Sequence, residues 1–168
     1  MTSDLIALGC VPRKSLILRF PTKEQVPQHL IKHFIRGYFD GDGSIGLVKK
    51  HTQGFVNFVG TKNMLLNIIK NIEKEQGSLP YTERLAGKNS ITYAFDWRGN
   101  KCLNMGDYLY RDCNIKMERK WIKFLKIINR KNLIAPRYWN QTEKQREIIN
   151  YYTPFLQGVE LPKYKWET

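Results

Sequence analysis

The sequence predicts an α+β fold, with helices covering one face of a four-stranded antiparallel sheet and the other face left polar. Three observations predict it. Apolar residues recur at a helical spacing near 3.6 in some stretches and alternate with a period of two in others. The two kinds of stretch follow one another as helix, hairpin, helix, hairpin, helices. A hydrophobic content of 42% in 168 residues supports one packed core rather than a disordered chain.

Taken in order, residues 3–9 (SDLIALG) read as a short helix closed by Gly9, and Pro12 starts an irregular stretch. SLILRF (15–20) reads as a short strand ended by Pro21. QVPQHLIKHFIRGYF (25–39) is the first strong helix. Pro27 fits its first turn, and Leu30, Ile31, Phe34, Ile35 and Tyr38 share one side. After Gly43 the period changes. SIGLVKKH (44–51) alternates with Ile45 and Leu47 on one face. GFVNFVG (54–60) puts Val56 and Phe58 inward around Asn57, with a turn at Gln53-Gly54. KNMLLNIIKNIEKEQG (62–77) is amphipathic, with Leu65, Ile68, Ile69 and Ile72 on one side and Gly77 at its end.

A second hairpin runs from LPYTERL through Gly87-Lys88-Asn89 into SITYAFDW (90–97). There Ile91, Tyr93, Phe95 and Trp97 take one face and Ser90, Thr92, Ala94 and Asp96 the other. Residues 99–112 read as a short helix and 116–131 as a longer, basic one. The tail holds a helix at 141–152. Its aromatics Trp139, Tyr151, Tyr152 and Trp166 are expected to pack on the core. The expected organisation is a leading extension (1–27), a core (28–131) and a helical tail (132–168).

Lys and Arg number 28 against 15 Asp and Glu, a formal charge of +13. Such an excess points to a polyanionic partner, most often nucleic acid. A membrane surface fits less well, because no long basic amphipathic helix carries a continuous apolar face. No apolar run is long enough to span a bilayer and no signal peptide is recognised, so an intracellular location is expected. Cys10, Cys102 and Cys113 form no CxxC pair and no zinc spacing, so they read as free thiols in a reducing compartment. The polar sheet face is either an ordinary solvated surface or a nucleic-acid groove, and the charge favours the groove.

The chemistry concentrates in residues 35–46, IRGYFDGDGSIG. Gly37 and Gly41 lie four apart on one side of the helix, at a cost of roughly 1 kcal/mol each relative to alanine. Such glycines are tolerable where a second helix must approach closely. Asp40 and Asp42 fall at the helix's C-terminal end, where the dipole disfavours a carboxylate. Two copies of this helix packed along their glycines would bring the acidic ends together, and only a cation between them relieves the repulsion. Oxygen ligands point to Mg²⁺ or a similar divalent ion, which beside nucleic acid can activate water for phosphodiester hydrolysis. A plain polar turn is the alternative. A calcium loop at Asp40, Asp42 and Ser44 is disfavoured, because Ile45 and His51 stand where Gly and Glu are needed.

IRGYFDGDG resembles the nine-residue motif of the LAGLIDADG homing endonucleases and related intron maturases. Gly37, Asp40, Asp42 and Gly43 match its most characteristic positions, and Ile35, Tyr38 and Phe39 keep its apolar character. Arg36 replaces the usual alanine and is expected to face outward. The resemblance covers about residues 28–131, where the element order also matches the family's αββαββα core. It implies a sheet shaped as a DNA-binding saddle. One motif per chain implies a homodimer with Gly37, Gly41 and Asp40 at the interface.

Further roles follow from the same resemblance. Asp42 takes the metal-binding carboxylate position, and the Gly41 carbonyl assists a Mg²⁺ or Mn²⁺ ion. Lys116 takes the place of a basic active-site residue ahead of the last core helix. Thr61, Lys62 or Asn63 takes that of a water-ordering residue. Ser44, Lys49, Lys50, Asn57, Arg84, Lys88, Thr92 and Asp96 are expected to contact double-stranded DNA, with Arg13 and Lys14 extending the footprint. The implied activity is site-specific, metal-dependent cleavage of a long, near-palindromic DNA site by an intron-encoded enzyme. The alternatives are a maturase bound to intron RNA, or a DNA-binding relative without chemistry.

Overall fold

The computed structural model describes residues 4, 6, 16–48, 53–88, 90–138 and 141–159, without the side chains of 131–138. Its architecture is α+β, with five α-helices and a four-stranded antiparallel sheet among these residues. Helix α1 spans Ile31–Asp42, strands β1 and β2 span Ser44–Leu47 and Gly54–Gly60, and helix α2 spans Lys62–Gln76. Strands β3 (Thr82–Leu85) and β4 (Tyr93–Arg98) make the second hairpin. Helices α3 (Lys101–Tyr110), α4 (Glu118–Tyr138) and α5 (Glu143–Tyr152) follow. The strand order is β1-β2-β4-β3, so β2 and β4 are central.

The chain forms two compact units: residues 1–44 with 57–97, and residues 45–56 with 98–168. In the first unit, a 3-10 turn at Gln28–Leu30, preceded by Pro27, leads into α1. Helix α1 buries Ile31, Ile35 and Phe39. Helix α2 starts at Thr61, whose hydroxyl accepts the Met64 amide at 3.2 Å, and buries Met64, Leu65, Ile68, Ile69 and Ile72. It stops at Gly77, whose φ of 73° suits only glycine comfortably. Phe58 packs its ring 5.2 Å from Phe39 and 5.8 Å from Trp97, and the Trp97 indole donates to the Leu79 carbonyl at 3.2 Å. Strands β3 and β4 pair with Thr82 opposite Asp96 and Arg84 opposite Ala94.

In the second unit, α3 and α4 touch at Gly106, where a Cβ would run into the Phe124 ring. Gly54 likewise leaves room for Cys102 and Ile127. Helix α5 begins with a complete capping box between Thr142 and Gln145. It lays Tyr152 against Phe124 at 5.0 Å and against Trp121 at 5.8 Å, so the tail does pack on the core there. Trp139 and Trp166 lie outside the described residues.

Several local expectations change. Residues 16–20 are not a strand: Leu16 and Ile17 form a turn and 18–20 run irregularly. Their polar groups are used elsewhere, since the Leu18 carbonyl accepts the Thr61 hydroxyl at 2.5 Å and the Phe20 amide donates to Asn63 Oδ1 at 3.3 Å. Arg36 is buried at 6% exposure rather than outward, with its guanidinium 2.5 Å from His33 Nδ1 one turn back. Gly43 is needed for space and not for backbone freedom. Its φ is −79°, and a Cβ would collide with the Phe39 ring. The last strand starts at Tyr93 rather than Ser90, because the Ser90 and Thr92 hydroxyls bond each other at 2.7 Å in the turn and leave Ile91 exposed. The helix expected over 116–131 runs from Glu118 to Tyr138.

Candidate active site

Asp42 ends α1, exposed, in a cavity of roughly 350 Å³ lined by Leu18, Tyr38, Val59, Gly60, Thr61 and Thr92. Local sequence makes this arrangement. Gly43 stops the helix by turning extended and donating its amide to the Phe39 carbonyl at 2.8 Å. The carbonyls beyond Phe39, that of Gly41 among them, have no donor inside the helix. The dipole therefore adds partial negative charge where the carboxylate already sits.

Tyr38 stands one turn before Asp42 and ties the helix end to the sheet. Its hydroxyl donates to the Val59 carbonyl at 2.8 Å. Burial, then the nearby Asp42 charge, pushes its pKa up to about 12, so it stays a neutral donor. Gly60 must be glycine, because a Cβ there would strike the Tyr38 hydroxyl. Neither residue was singled out for the site from sequence. The i, i+4 spacing of Tyr38 and Asp42, and a strand ending in glycine just before a capping threonine, are the signals that would have found them.

The expected site residues are distributed as follows. Thr61 and Thr92 come to the cavity with Asp42. Thr61 both caps α2 and bonds Leu18, which occupies its hydroxyl as acceptor and donor. Lys62 pairs with Glu83 at 3.0 Å and lies 5.1 Å from the Tyr93 ring centre, and the bond to Glu83 raises its pKa. Lys116 belongs to the second unit, two residues ahead of α4 as expected. Its ammonium sits 5.0 Å from the Trp121 ring centre in a cavity of roughly 330 Å³ that Asp112, Asn114 and Tyr151 also line. Asp40 is half-buried, while Gly37 and Gly41 are exposed. A Cβ on either glycine would meet nothing within 4 Å.

The expected DNA contacts divide. Ser44 and Lys88 are exposed, and Arg84 is partly so. Asn57 and Asp96 are not on a free surface: they are 7% and 3% exposed. Asp96 instead accepts from Arg84 Nε at 2.7 Å. The free-face pattern fails at these two positions because β2 and β4 are the central strands, while alternation reports only which residues share a face. Lys49, Lys50, Arg13 and Lys14 lie outside the described residues.

The donors at the helix end suit a hard divalent cation. They are all oxygen, a carboxylate and backbone carbonyls, which is the chemistry Mg²⁺ and Mn²⁺ prefer. Asp42 is the one carboxylate among the cavity's lining residues. Among the described residues no three His, Cys, Asp or Glu side chains cluster to hold a metal within one chain. None of the described helices is long and apolar enough to cross a membrane.

No protein-family model and no curated protein matches the chain. Among solved structures it is similar to the homing endonuclease I-TnaI, at 13% identity over 71% of this chain and 96% of that one, with a TM-score of 0.40. It is similar to the homing endonuclease I-CvuI, captured with the I-CreI target uncleaved in 2 mM Mg, at 15% identity over 75% and 96%, with a TM-score of 0.43. The archaeal intron-encoded homing endonuclease I-Vdi141I complexed with DNA gives 12% identity over 78% and 99%, and a TM-score of 0.40.

Proposed function

We propose that the chain is a DNA endonuclease of the LAGLIDADG type that works as a homodimer, one Asp42 carboxylate coming from each copy. One observation carries this reading. Gly37 and Gly41 weaken an exposed stretch of α1, yet among the described residues nothing lies within 4 Å of a Cβ placed on either. Their bareness makes sense if a second α1 packs on them and brings its own Asp42 to the same place. That supplies the second carboxylate a divalent site needs.

Each residue then has a task. Asp42 and the Gly41 carbonyl hold Mg²⁺ or Mn²⁺, which when bound would activate a water and stabilise the leaving oxygen. Tyr38 fixes the carboxylate's height over the sheet through Val59. Lys116 supplies positive charge to the phosphate in the transition state. Ser44, Lys88 and Arg84 contribute to the DNA footprint, Lys88 chiefly on phosphate.

The test is a cleavage selection. The protein is incubated with genomic or randomised duplex DNA, with Mg²⁺ and with EDTA, and the ends are sequenced. Metal-dependent cuts within a recurring near-palindrome are expected. A folded dimer that makes no cuts would overturn the endonuclease and leave a binding protein.

A further inference from the structure

We propose that helix α5, which lies beyond the expected core, is a positioning element for the turn that presents Lys116. The proposal rests on the endonuclease reading, in which Lys116 supplies charge to the phosphate. Lysine carries its charge on a flexible stem, so an accurate placement needs both its backbone and its ammonium to be held. Residues 111–117 join α3 to α4 and carry this lysine.

The start of the turn is tied to α5. Asp112 is the one described residue other than glycine with a positive φ, 57°, a left-handed conformation uncommon outside glycine. Its Oδ1 accepts the Tyr151 hydroxyl at 2.8 Å, a bond from α5 that also raises the Tyr151 pKa. Arg111, next to Asp112, lays its guanidinium 4.4 Å from the centre of the same Tyr151 ring. Its Nε donates to Asp107 of α3 at 2.8 Å, and its Nη1 reaches Glu147 of α5 at 3.3 Å. Glu147 is exposed, so that pair is the weaker tie.

The ammonium is held at the other end. It lies 5.0 Å from the Trp121 ring centre, within cation–π reach. Trp121 is in turn packed from the α5 side, by Tyr152 at 5.8 Å and by Phe155, just past the helix, at 5.8 Å. Asp112, Lys116, Trp121, Tyr151, Tyr152 and Phe155 line one cavity, so the tether, the lysine and its aromatic rest share a site. A helix that only covered the core would need no more than its buried Ile148, Ile149 and Tyr152. Glu147 and Tyr151 stand four apart on the neighbouring stripe and give their polar groups to the turn instead.

The test is Tyr151→Phe in the full chain, which removes the hydroxyl and keeps the ring. In the NMR spectrum of protein with isotope-labelled lysine, the Lys116 ε-methylene signal, displaced by the Trp121 ring, is expected to move toward that of exposed lysines. Single-turnover cleavage of the duplex recovered by the selection is expected to slow roughly fivefold, about the worth of one hydrogen bond. DNA affinity is expected to be unchanged, as for a group that acts only in the transition state. Asp112→Asn keeps an acceptor for Tyr151 and is expected to retain most of the rate. Thr142→Ala weakens the cap of α5, which bonds Gln145 and not the turn, and is expected to leave both readouts as in the wild type. In a Lys116→Met background, Tyr151→Phe is expected to slow cleavage no further. An unmoved Lys116 signal, or a Tyr151→Phe loss that persists in full without the lysine, would overturn the proposal. Wild-type cutting by Lys116→Met would overturn the lysine's part in the endonuclease reading, and with it the purpose of the tether. A moved Lys116 signal in that case places the failure in that reading and not in the contacts.

Discussion

Asp42 and Tyr38 show how a charge and its support are divided between side chains. Asp42→Asn keeps the size and the exposure but removes the negative charge. Cleavage is expected to vanish while DNA is still bound, as a gel-shift assay without metal would show. Wild-type cutting by this variant would remove Asp42 from the active site. Tyr38→Phe deletes one hydrogen bond, at a cost of about 1 kcal/mol. It also alters the alkaline response. The folded pKa, raised to about 12, exceeds the ordinary value of 10.0. The folded state therefore keeps its proton longer than the unfolded chain, and the associated stability is complete below pH 10. It is lost as pH rises from about 10 to about 12. Urea unfolding across that window is expected to be less pH-dependent in Tyr38→Phe, and an unchanged slope would refute the assignment.

At the level of helices and strands, the glycines separate by what surrounds them. Gly106 and Gly60 have occupied space beside them, the Phe124 ring and the Tyr38 hydroxyl. Alanine at either is expected to destabilise by roughly 1–3 kcal/mol. The Gly60→Ala loss should be partly recovered in the Gly60→Ala/Tyr38→Phe double variant, which removes the colliding atom. A thermal melt with no recovery would show that the contact is not the cause. Thr61→Ala removes the α2 cap, at about 1 kcal/mol, and frees the Leu18 carbonyl as well. Faster amide exchange in residues 16–20 is the expected sign that this one hydroxyl also holds the leading segment.

Association of two chains reverses the sign at Gly37 and Gly41. A Cβ there meets nothing within 4 Å among the described residues, so the monomer is expected to gain up to roughly 1 kcal/mol per site from helix propensity. The dimer is expected to weaken, because the extra methyls stand between two helices. Sedimentation and denaturation of Gly37→Ala together test this. Increased stability with an intact dimer would take this face of α1 out of the interface.

Much of this protein could be read from one chain of letters. The positions of β2 and α2, the burial of Ile31, Ile35, Phe58 and Leu65, and the stop at Gly77 follow from periodicity and backbone chemistry, which act over a few residues, whereas the helix expected from residue 25 starts at Ile31, leaves Leu30 exposed and buries Phe39. The placement of Asp42 at a helix C-terminus is equally local. What remained hidden depends on neighbours distant in sequence. Alternation put Asn57 and Asp96 on a free face, but only the strand order makes those strands central and buries both residues. Gly43 marks the change of period in the sequence, but what requires a glycine there is the space taken by the Phe39 ring. Residues 16–20, expected to belong to a strand, run irregularly instead, and Thr61 and Asn63, more than forty residues later, bond their backbone at Leu18 and Phe20. Local patterns report which side of an element is apolar; which groups then meet across that side is settled only when the chain closes on itself.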